Sequence, residues 1–535
     1  MSEVNPSSAL VVGHHGEELR FTGLWELLDW RARQTPDALA MVDEHGRRLS
    51  FSELRDEAEA VAAALHDRGV VPGGRVSWQL PTWIETFVLM AAVVRLDAAQ
   101  NPILPISRER EMGFIIDQWA PDLLVVPESY RGFDHAALAE TARSRRPDVD
   151  VLVLRDRLPR ADPRTLPPYA RTAGDEPVRW ILYSSGTTAE PKGARHTDAS
   201  VFRAAANLTG RIYITAEDRT AVVAPVAHVG GIMWFIASLI SGCASVVCDR
   251  FDAATLDVLR REGVTLAGMG TSFHEAYLAR QLESAEPVLP QVRAFPGGGS
   301  TRAPDLHARL KKAFGVGVVS GYGSTETGPL TIPDLGDSDA VLGGTEGRPY
   351  PGTILKIVDE AGQEVRQGEV GEIRAKGPQM MVGYVDPALD LDVFDEDGFF
   401  RTGDLGSQDE DGNLVIRGRL KDIIIRKGEN ISAAEVESAL LTHPDIAAAA
   451  VIALPDPDTG ERCCAVVVLE PGRPAPSLVE VKDHLLREGL AIQKVPEQLE
   501  VIDELPRAGV GKVAKNVLRT RYGVPTPSPW PTTSA

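Results

Sequence analysis

The chain has 535 residues, 43% of them apolar and 25% charged, and its 49 Gly and 38 Pro are too few for a collagen-like or low-complexity chain. At roughly 100–200 residues per domain, this length makes about three to four domain-sized units. Acidic residues (76) outnumber basic ones (56) for a formal charge of −20, a field that repels nucleic acid and anionic membranes, so any polyanion must be met by local donors.

Residues 22 to 70 read as an amphipathic helix, a short hairpin around Val42–Leu49 turning at Glu44-His45-Gly46, and a second helix from Ser52. Apolar runs of strand length then alternate with helical patterns: RVSWQL, LLVVP, VDVLVL, VRWILYSS, RTAVVAP, ASVVCD, TLAGMG, VRAFPGG and VGVVSGYG. Such alternation predicts open sheets with helices on their faces. Val229 to Val247 carries no charge and reaches membrane-span length. Its three glycines and β-rich end favour a buried helix followed by a core strand, so no membrane span is expected.

From Tyr350 the texture changes to short strands and turns (ILKIVDEAGQEV, VGEIRAKG, NLVIRGR), a β subdomain over about 340–417. After Gly418 a basic cluster leads into a small α+β unit over 418–523. The Pro/Ser/Thr-rich residues 524–535 are expected to be a disordered tail. Cys243, Cys248, Cys463 and Cys464 make no C-x-x-C pair. With no leader at the amino terminus, a cytoplasmic protein is expected.

The most informative stretch is Tyr183-Ser-Ser-Gly-Thr-Thr-Ala-Glu-Pro-Lys-Gly-Ala194. It follows a strand and combines hydroxyls, two glycines and a lysine, the donors that a triphosphate needs from a loop. It is not a Walker loop, because G-x-x-x-x-G-K-[ST] is missing; alone, it could equally be a polar surface turn. Six further motifs follow in order: Gly297-Gly-Gly-Ser300, Gly321-Tyr-Gly-Ser-Thr-Glu-Thr-Gly328, Gly371-Glu-Ile-Arg374, Arg401-Thr-Gly-Asp404, Gly418-Arg-Leu-Lys-Asp422 and Pro506-Arg-Ala-Gly-Val-Gly-Lys-Val513. In this order and at these separations, the seven resemble the adenylate-forming superfamily, of the AMP-forming acyl- or aryl-CoA synthetase type, over residues 22 to 520.

The resemblance implies an α/β fold: a large amino-terminal lobe (1–417) of stacked αβαβα sheets plus the β subdomain, with a small mobile α+β domain (418–523) hinged at Lys421. It implies that Ser184, Ser185, Gly186, Thr187, Thr188 and Lys192 cradle the triphosphate of ATP. Gly298, Gly299, Ser300, Gly321, Tyr322, Gly323 and Ser324 would form the adenine slot and its flank. Thr325 would bond the α-phosphate, Glu326 would hold Mg²⁺, and Asp404 and Arg419 would take the ribose side, with Ile416 against the purine. Lys512, on a flexible loop, would bridge the attacking carboxylate and the α-phosphate.

The acyl pocket would comprise His228, Val229, Gly230, Gly231, Trp234, Gly297 and Gly321, with His228 in a gating or orienting role. Amino-acid-activating relatives place an acid where this chain has Val229. An unpaired ammonium beside valine is costly to bury, and Gly230, Gly231, Gly297 and Gly321 leave volume rather than polar handles, which points to an apolar, bulky acid, alicyclic or aromatic, with a fatty chain still open. Ala189 and Ala433 depart from the glycine and proline usual at their positions. The implied reaction is acid plus ATP to acyl-AMP and pyrophosphate, then a thioester with coenzyme A. Two alternatives stay open: transfer of the acyl group to a separate ligase or carrier protein, and a non-catalytic nucleotide-binding member of the fold. A homodimer also stays open.

Overall fold

The computed structural model describes residues 9–12, 18–21, 23–169, 177–184, 191–299, 302–426, 429–456, 460–488, 490, 492–508 and 512–523. They divide into two compact units: Met1–Leu355 with Ala375–Arg401, and Lys356–Arg374 with Thr402–Ala535.

In the first unit the βα alternation becomes parallel sheet. Six strands lie in the order Asp150–Leu154, Leu123–Pro127, Arg75–Trp78, Ala99–Pro102, Val178–Ser184 and Lys192–Thr197. The first five are parallel and the last returns antiparallel. A second sheet sets Arg219–Val222, Ala244–Val247 and Leu39–Asp43 parallel, with Arg48–Ser50 antiparallel at its edge. A third pairs Phe295–Gly298 in parallel with Val318–Ser324, followed by antiparallel Gly328–Ile332 and Arg348–Pro349. The expected strand over Thr265–Gly270 reduces to one residue: Leu266 makes parallel bridges to Thr220 and Ala294. Its two glycines explain this, since Gly270 has φ +131° and a Cβ on Gly268 would lie 3.0 Å from the Pro296 carbonyl.

The second helix starts at Phe51, one residue before the sequence expectation. The Ser50 side chain accepts from the Glu53 amide, and the Glu53 carboxylate accepts from the Ser50 amide, a reciprocal cap that satisfies two otherwise orphaned donors. The helix Ile84–Arg95 buries every residue except Glu85, and Phe87 packs edge-on against Phe235 at 5.3 Å between ring centroids.

The uncharged stretch resolves into the helix Val229–Ser241, a left-handed stop at Gly242 (φ +80°) and the strand Ala244–Val247. No described helix is long and apolar enough to cross a membrane. The carboxy-terminal carbonyls of this helix are met from afar: buried Arg31 donates to the Leu239 carbonyl at 2.8 Å and to the Ile240 carbonyl at 2.6 Å. Arg31→Met should therefore strand two buried acceptors and cost about 2–3 kcal/mol, read as a lowered thermal midpoint with little change in helix content.

In the second unit, a four-stranded sheet runs in the order Ile354–Val358, Gly371–Lys376, Phe400–Gln408, Leu414–Arg419, its first three strands beginning or ending in the first unit. A further sheet runs Glu429–Ser432, Ile423–Arg426, Gly460–Leu469, Ile446–Asp456, with Gln498–Val501 parallel beside Gly460–Leu469. Residues 402–417, expected with the large lobe, group here with the carboxy-terminal residues. Continuity across Gly418 is the reason: Asp404 pairs with Arg419 in register, and the Ser432 hydroxyl donates to the Arg417 carbonyl at 2.8 Å. Gly418 has φ +144°, and a Cβ there would sit 2.9 Å from that hydroxyl oxygen.

Candidate active site

The Tyr183–Ala194 motif, expected to bind phosphate, joins two strands. Ser184 ends one strand and Lys192 begins the next, and the two are cross-strand partners that close the loop at its base. Ser185, Gly186, Thr187, Thr188 and Ala189 lie outside the described residues, as does Ser300. Gly193 is required for the closure, because a Cβ there would fall 2.9 Å from the Tyr183 ring. That ring is itself tied down, its hydroxyl donating to Gln118 Oε1 at 2.7 Å.

Facing this base is the tight turn of Gly321–Gly328. Gly323 has no room for a side chain, since a Cβ would lie 2.2 Å from the Gly328 carbonyl oxygen. Gly328 is left-handed at φ +58°. The Ser324 amide donates to the Thr327 hydroxyl at 3.0 Å, and the Thr327 amide to the Ser324 hydroxyl at 3.2 Å. This bracing presents Thr325 and Glu326 at the turn. The Thr325 carbonyl bonds buried His196 Nε2 at 2.8 Å, and the Glu326 carbonyl accepts from the Met381 amide at 2.8 Å.

The Glu326 carboxylate meets the end of the Val178–Ser184 strand directly. Ser184 Oγ donates to Glu326 Oε1 at 2.7 Å, and the hydroxyl of buried Tyr384 donates to the same oxygen at 3.2 Å. Lys192 Nζ lies 5.8 Å from the centre of the Tyr384 ring. Burial, with the Glu326 charge beside it, pushes the Tyr384 phenol far above its ordinary value, so this hydroxyl keeps its proton and donates. Burial holds His196 down at about 4, so it is neutral near pH 7 and links its strand to Thr325 without adding charge.

The glycine-rich strand ends lie side by side. Gly298 is the parallel partner of Gly321, and a Cβ on Gly298 would lie 2.5 Å from the Gly321 carbonyl oxygen. Gly299 is left-handed (φ +80°) and faces open space. Tyr322 is half-buried one residue on. Of the four glycines read as pocket volume, only Gly230 has space beside it. A Cβ on Gly231 would fall 2.4 Å from Val226 Cα, on Gly297 2.7 Å from the His274 ring, and on Gly321 2.6 Å from the Thr331 carbonyl oxygen. His228 stands at the N-cap position of the helix that carries Val229, Gly230 and buried Trp234.

In the second unit, Arg419 Nε pairs with Asp404 Oδ1 at 2.7 Å across adjacent strands, and Ile416 is the partner of Gly406. Lys421 lies in the short 3-10 turn Leu420–Asp422, with its side chain outside the described residues. Next to it, Asp422 is held by Arg519 at 2.8 Å and by Lys515 at 3.6 Å. Exposed Lys512 lies in a hairpin whose strands Arg507–Ala508 and Lys512–Val513 pair Ala508 with Lys512.

The sequence reading missed Tyr384 and His196. His196 lies in the polar run KGARHT and Tyr384 in the apolar run MMVGYV, and neither motif spelling nor spacing announces a contact made across more than fifty positions.

Two family models match the chain: AMP-binding enzyme over residues 28–385, and AMP-binding enzyme C-terminal domain over residues 435–512. Among curated relatives, the medium-chain fatty-acid–CoA ligase of Escherichia coli K12 is 34% identical, covering 94% of this chain and 91% of that protein. The salicyl-AMP ligase / salicyl-S-ArCP synthetase of Mycobacterium tuberculosis is also 34% identical, covering 95% and 93%. Among solved structures, ATP-bound MatB from Rhodopseudomonas palustris superposes with a TM-score of 0.82 at 29% identity, covering 93% of this chain and 99% of that one.

Proposed function

Because this chain belongs to the AMP-binding enzyme family, it is an AMP-forming ligase that adenylates an acid with ATP, and we propose that its substrate is an apolar, bulky carboxylic acid, alicyclic or aromatic, delivered as a thioester of coenzyme A. In the first half-reaction a carboxylate oxygen attacks the α-phosphorus, the bond to the β-phosphate oxygen breaks, and pyrophosphate leaves. In the second, the thiol sulfur attacks the acyl carbon of the mixed anhydride, AMP leaves, and the thiol proton passes to solvent.

The observation that carries this reading is the carboxylate of Glu326 fixed against the base of the phosphate loop beside Lys192. Among the described residues no cluster of three or more His, Cys, Asp or Glu is arranged to hold a metal unaided. A Mg²⁺ that arrives on nucleotide phosphates needs only one or two carboxylates, and Glu326 suits it as a hard oxygen donor. Bound there, the metal supplies neutralising charge on the phosphates. The remaining roles rest on the chain's own groups. Ser184 and Lys192, with Ser185, Gly186, Thr187 and Thr188, hold the triphosphate. Gly298, Gly299, Ser300 and Tyr322 receive the adenine, with Ile416 against it, and Gly321, Gly323 and Ser324 bind the nucleotide beside them; Thr325 bonds the α-phosphate, and Asp404 with Arg419 takes the ribose. Lys512 bridges the two reacting anions, and a hinge at Lys421 then withdraws it so that the thiol can enter.

The substrate class rests on Val229, which offers no partner to an ammonium, and on the open space beside Gly230. His228 and Trp234 complete that wall. The thiol acceptor has a specific competitor: one relative at 34% identity is named a medium-chain fatty-acid–CoA ligase, and another at 34% a salicyl-AMP ligase / salicyl-S-ArCP synthetase. Mass spectrometry over a panel of fatty, aryl and alicyclic acids, each with and without coenzyme A, separates the readings. Thioester from an aryl or alicyclic acid is the expected product. Acyl-AMP that accumulates in the presence of coenzyme A would transfer the second step to a carrier or partner ligase. Best turnover on an amino acid would overturn the Val229 argument.

A further inference from the structure

Tyr384 belongs to none of the motifs that marked the site, yet it touches the two opposite charges there. Its hydroxyl lies 3.2 Å from Glu326 Oε1, and its ring centre lies 5.8 Å from Lys192 Nζ. We infer that Tyr384 is the positioning residue of this site, its hydroxyl aiming the Glu326 carboxylate at the metal and its ring face steadying the Lys192 ammonium. The inference rests on the reading of Glu326 as the Mg²⁺-facing group.

Three observations separate this role from mere core filling. First, the backbone of Tyr384 is locked before its side chain acts. Its amide donates to Asp390 Oδ1 at 2.8 Å, it bridges Ala194 in antiparallel fashion, and the next amide donates to the Gly193 carbonyl at 2.8 Å. Gly383 has φ +129°, and a Cβ there would lie 2.5 Å from Asp390 Oδ2, so the chain can make this turn only with glycine. Second, the buried ring packs in an apolar cluster with Ala194, Leu330, Met380 and Phe400, where phenylalanine would serve equally as filler. Only the hydroxyl is surplus to packing, and it goes to a carboxylate. Third, both donors from described residues, Ser184 and Tyr384, converge on the same oxygen, Oε1. Two donors on one oxygen restrain the carboxylate's rotation and leave Oε2 to a ligand.

The two roles come apart under substitution. Tyr384→Phe keeps the ring face under Lys192 and deletes only the hydroxyl; Tyr384→Leu deletes both. The readout is Mn²⁺ binding by the full-length protein in the presence of a non-hydrolysable ATP analogue, followed by electron paramagnetic resonance of the free ion, with nucleotide affinity measured separately by calorimetry without metal. Loss of a hydrogen bond to a charged group predicts about a tenfold weaker Mn²⁺ affinity for Tyr384→Phe, with metal-free nucleotide affinity unchanged. Tyr384→Leu should weaken both. Should the leucine variant fail to fold, the phenylalanine variant alone decides. Wild-type Mn²⁺ affinity retained by Tyr384→Phe would overturn the inference while leaving the Glu326 reading standing. No nucleotide-dependent Mn²⁺ binding by the wild type would overturn both.

Discussion

Lys512→Ala is expected to lower acid-dependent pyrophosphate release by about two to three orders of magnitude while leaving ATP affinity within a few-fold of wild type. The size follows from the chemistry. A carboxylate and a triphosphate are both anions, and a preorganised cation between them in a water-poor cleft is worth as much as an oxyanion donor. The specificity follows from where the lysine lies. Its side chain is exposed, on the hairpin formed by Arg507–Ala508 and Lys512–Val513, so its loss opens no cavity in the core. The nucleotide-binding roles proposed for the first unit stay with Ser184, Lys192 and Glu326, which the substitution does not touch. Acyl-AMP supplied ready-made should still give thioester with coenzyme A, because in the reaction proposed above this cation is withdrawn before the thiol enters. A variant that loses ATP affinity and both half-reactions together would show Lys512 to be structural. One that keeps acid-dependent pyrophosphate release would remove it from the reaction.

Much of this architecture can be read from apolar runs, and the places where reading stops have physical causes. The stretch Leu123–Pro127 is buried along its whole length and spells a strand. Lys192–Thr197 (KGARHT) spells nothing of the kind, yet it is the sixth strand of the first sheet. Its place comes from pairing with Val178–Ser184 and from Gly193 against the Tyr183 ring, tertiary facts that override a polar pattern. The same limit applies to the glycines. Room for a substrate is the natural reading of Gly230, Gly231, Gly297 and Gly321, but at Gly231, Gly297 and Gly321 the missing Cβ is demanded by this chain's own backbone or a neighbouring ring, and only Gly230 opens on space. Glu326 could be picked from its motif. The Ser184 and Tyr384 donors that hold it could not, because they come from positions 142 residues before it and 58 after it.

Stability should fall as pH drops from about 6.5 to 4, and two histidines beside the site should supply much of that slope. Burial holds the imidazoles of His196 and His274 at about 4, against an ordinary 6.5. Between those values the unfolded chain binds two protons that the folded chain refuses. The folded state is therefore fully favoured above pH 6.5 and loses that advantage as pH falls toward 4. Each histidine accounts for about 3 kcal/mol over the full window. Glu44 works against them: burial beside Asp249 raises its carboxyl to about 7, so its folded form binds protons more readily and favours the acid side. The net slope of the wild type is consequently a difference, and comparison with a variant isolates the histidines. A double His196→Gln, His274→Gln variant, whose amides can donate to the Thr325 and Pro296 carbonyls in place of the rings, should unfold at a midpoint far less sensitive to acid, although lower at pH 7. Thermal midpoints measured from pH 7 to 4.5 on both proteins give the result, and parallel curves would show that these rings do not stay neutral in the folded protein. The consequence reaches the site because of what the rings hold. His196 bonds the carbonyl of Thr325, next to Glu326, and His274 the carbonyl of Pro296, next to Gly297. Neutral imidazole can hold those carbonyls without charge, whereas a buried imidazolium must either expose itself or shift them, so acid should loosen the Gly321–Gly328 turn and the Phe295–Gly298 strand before the rest of the fold.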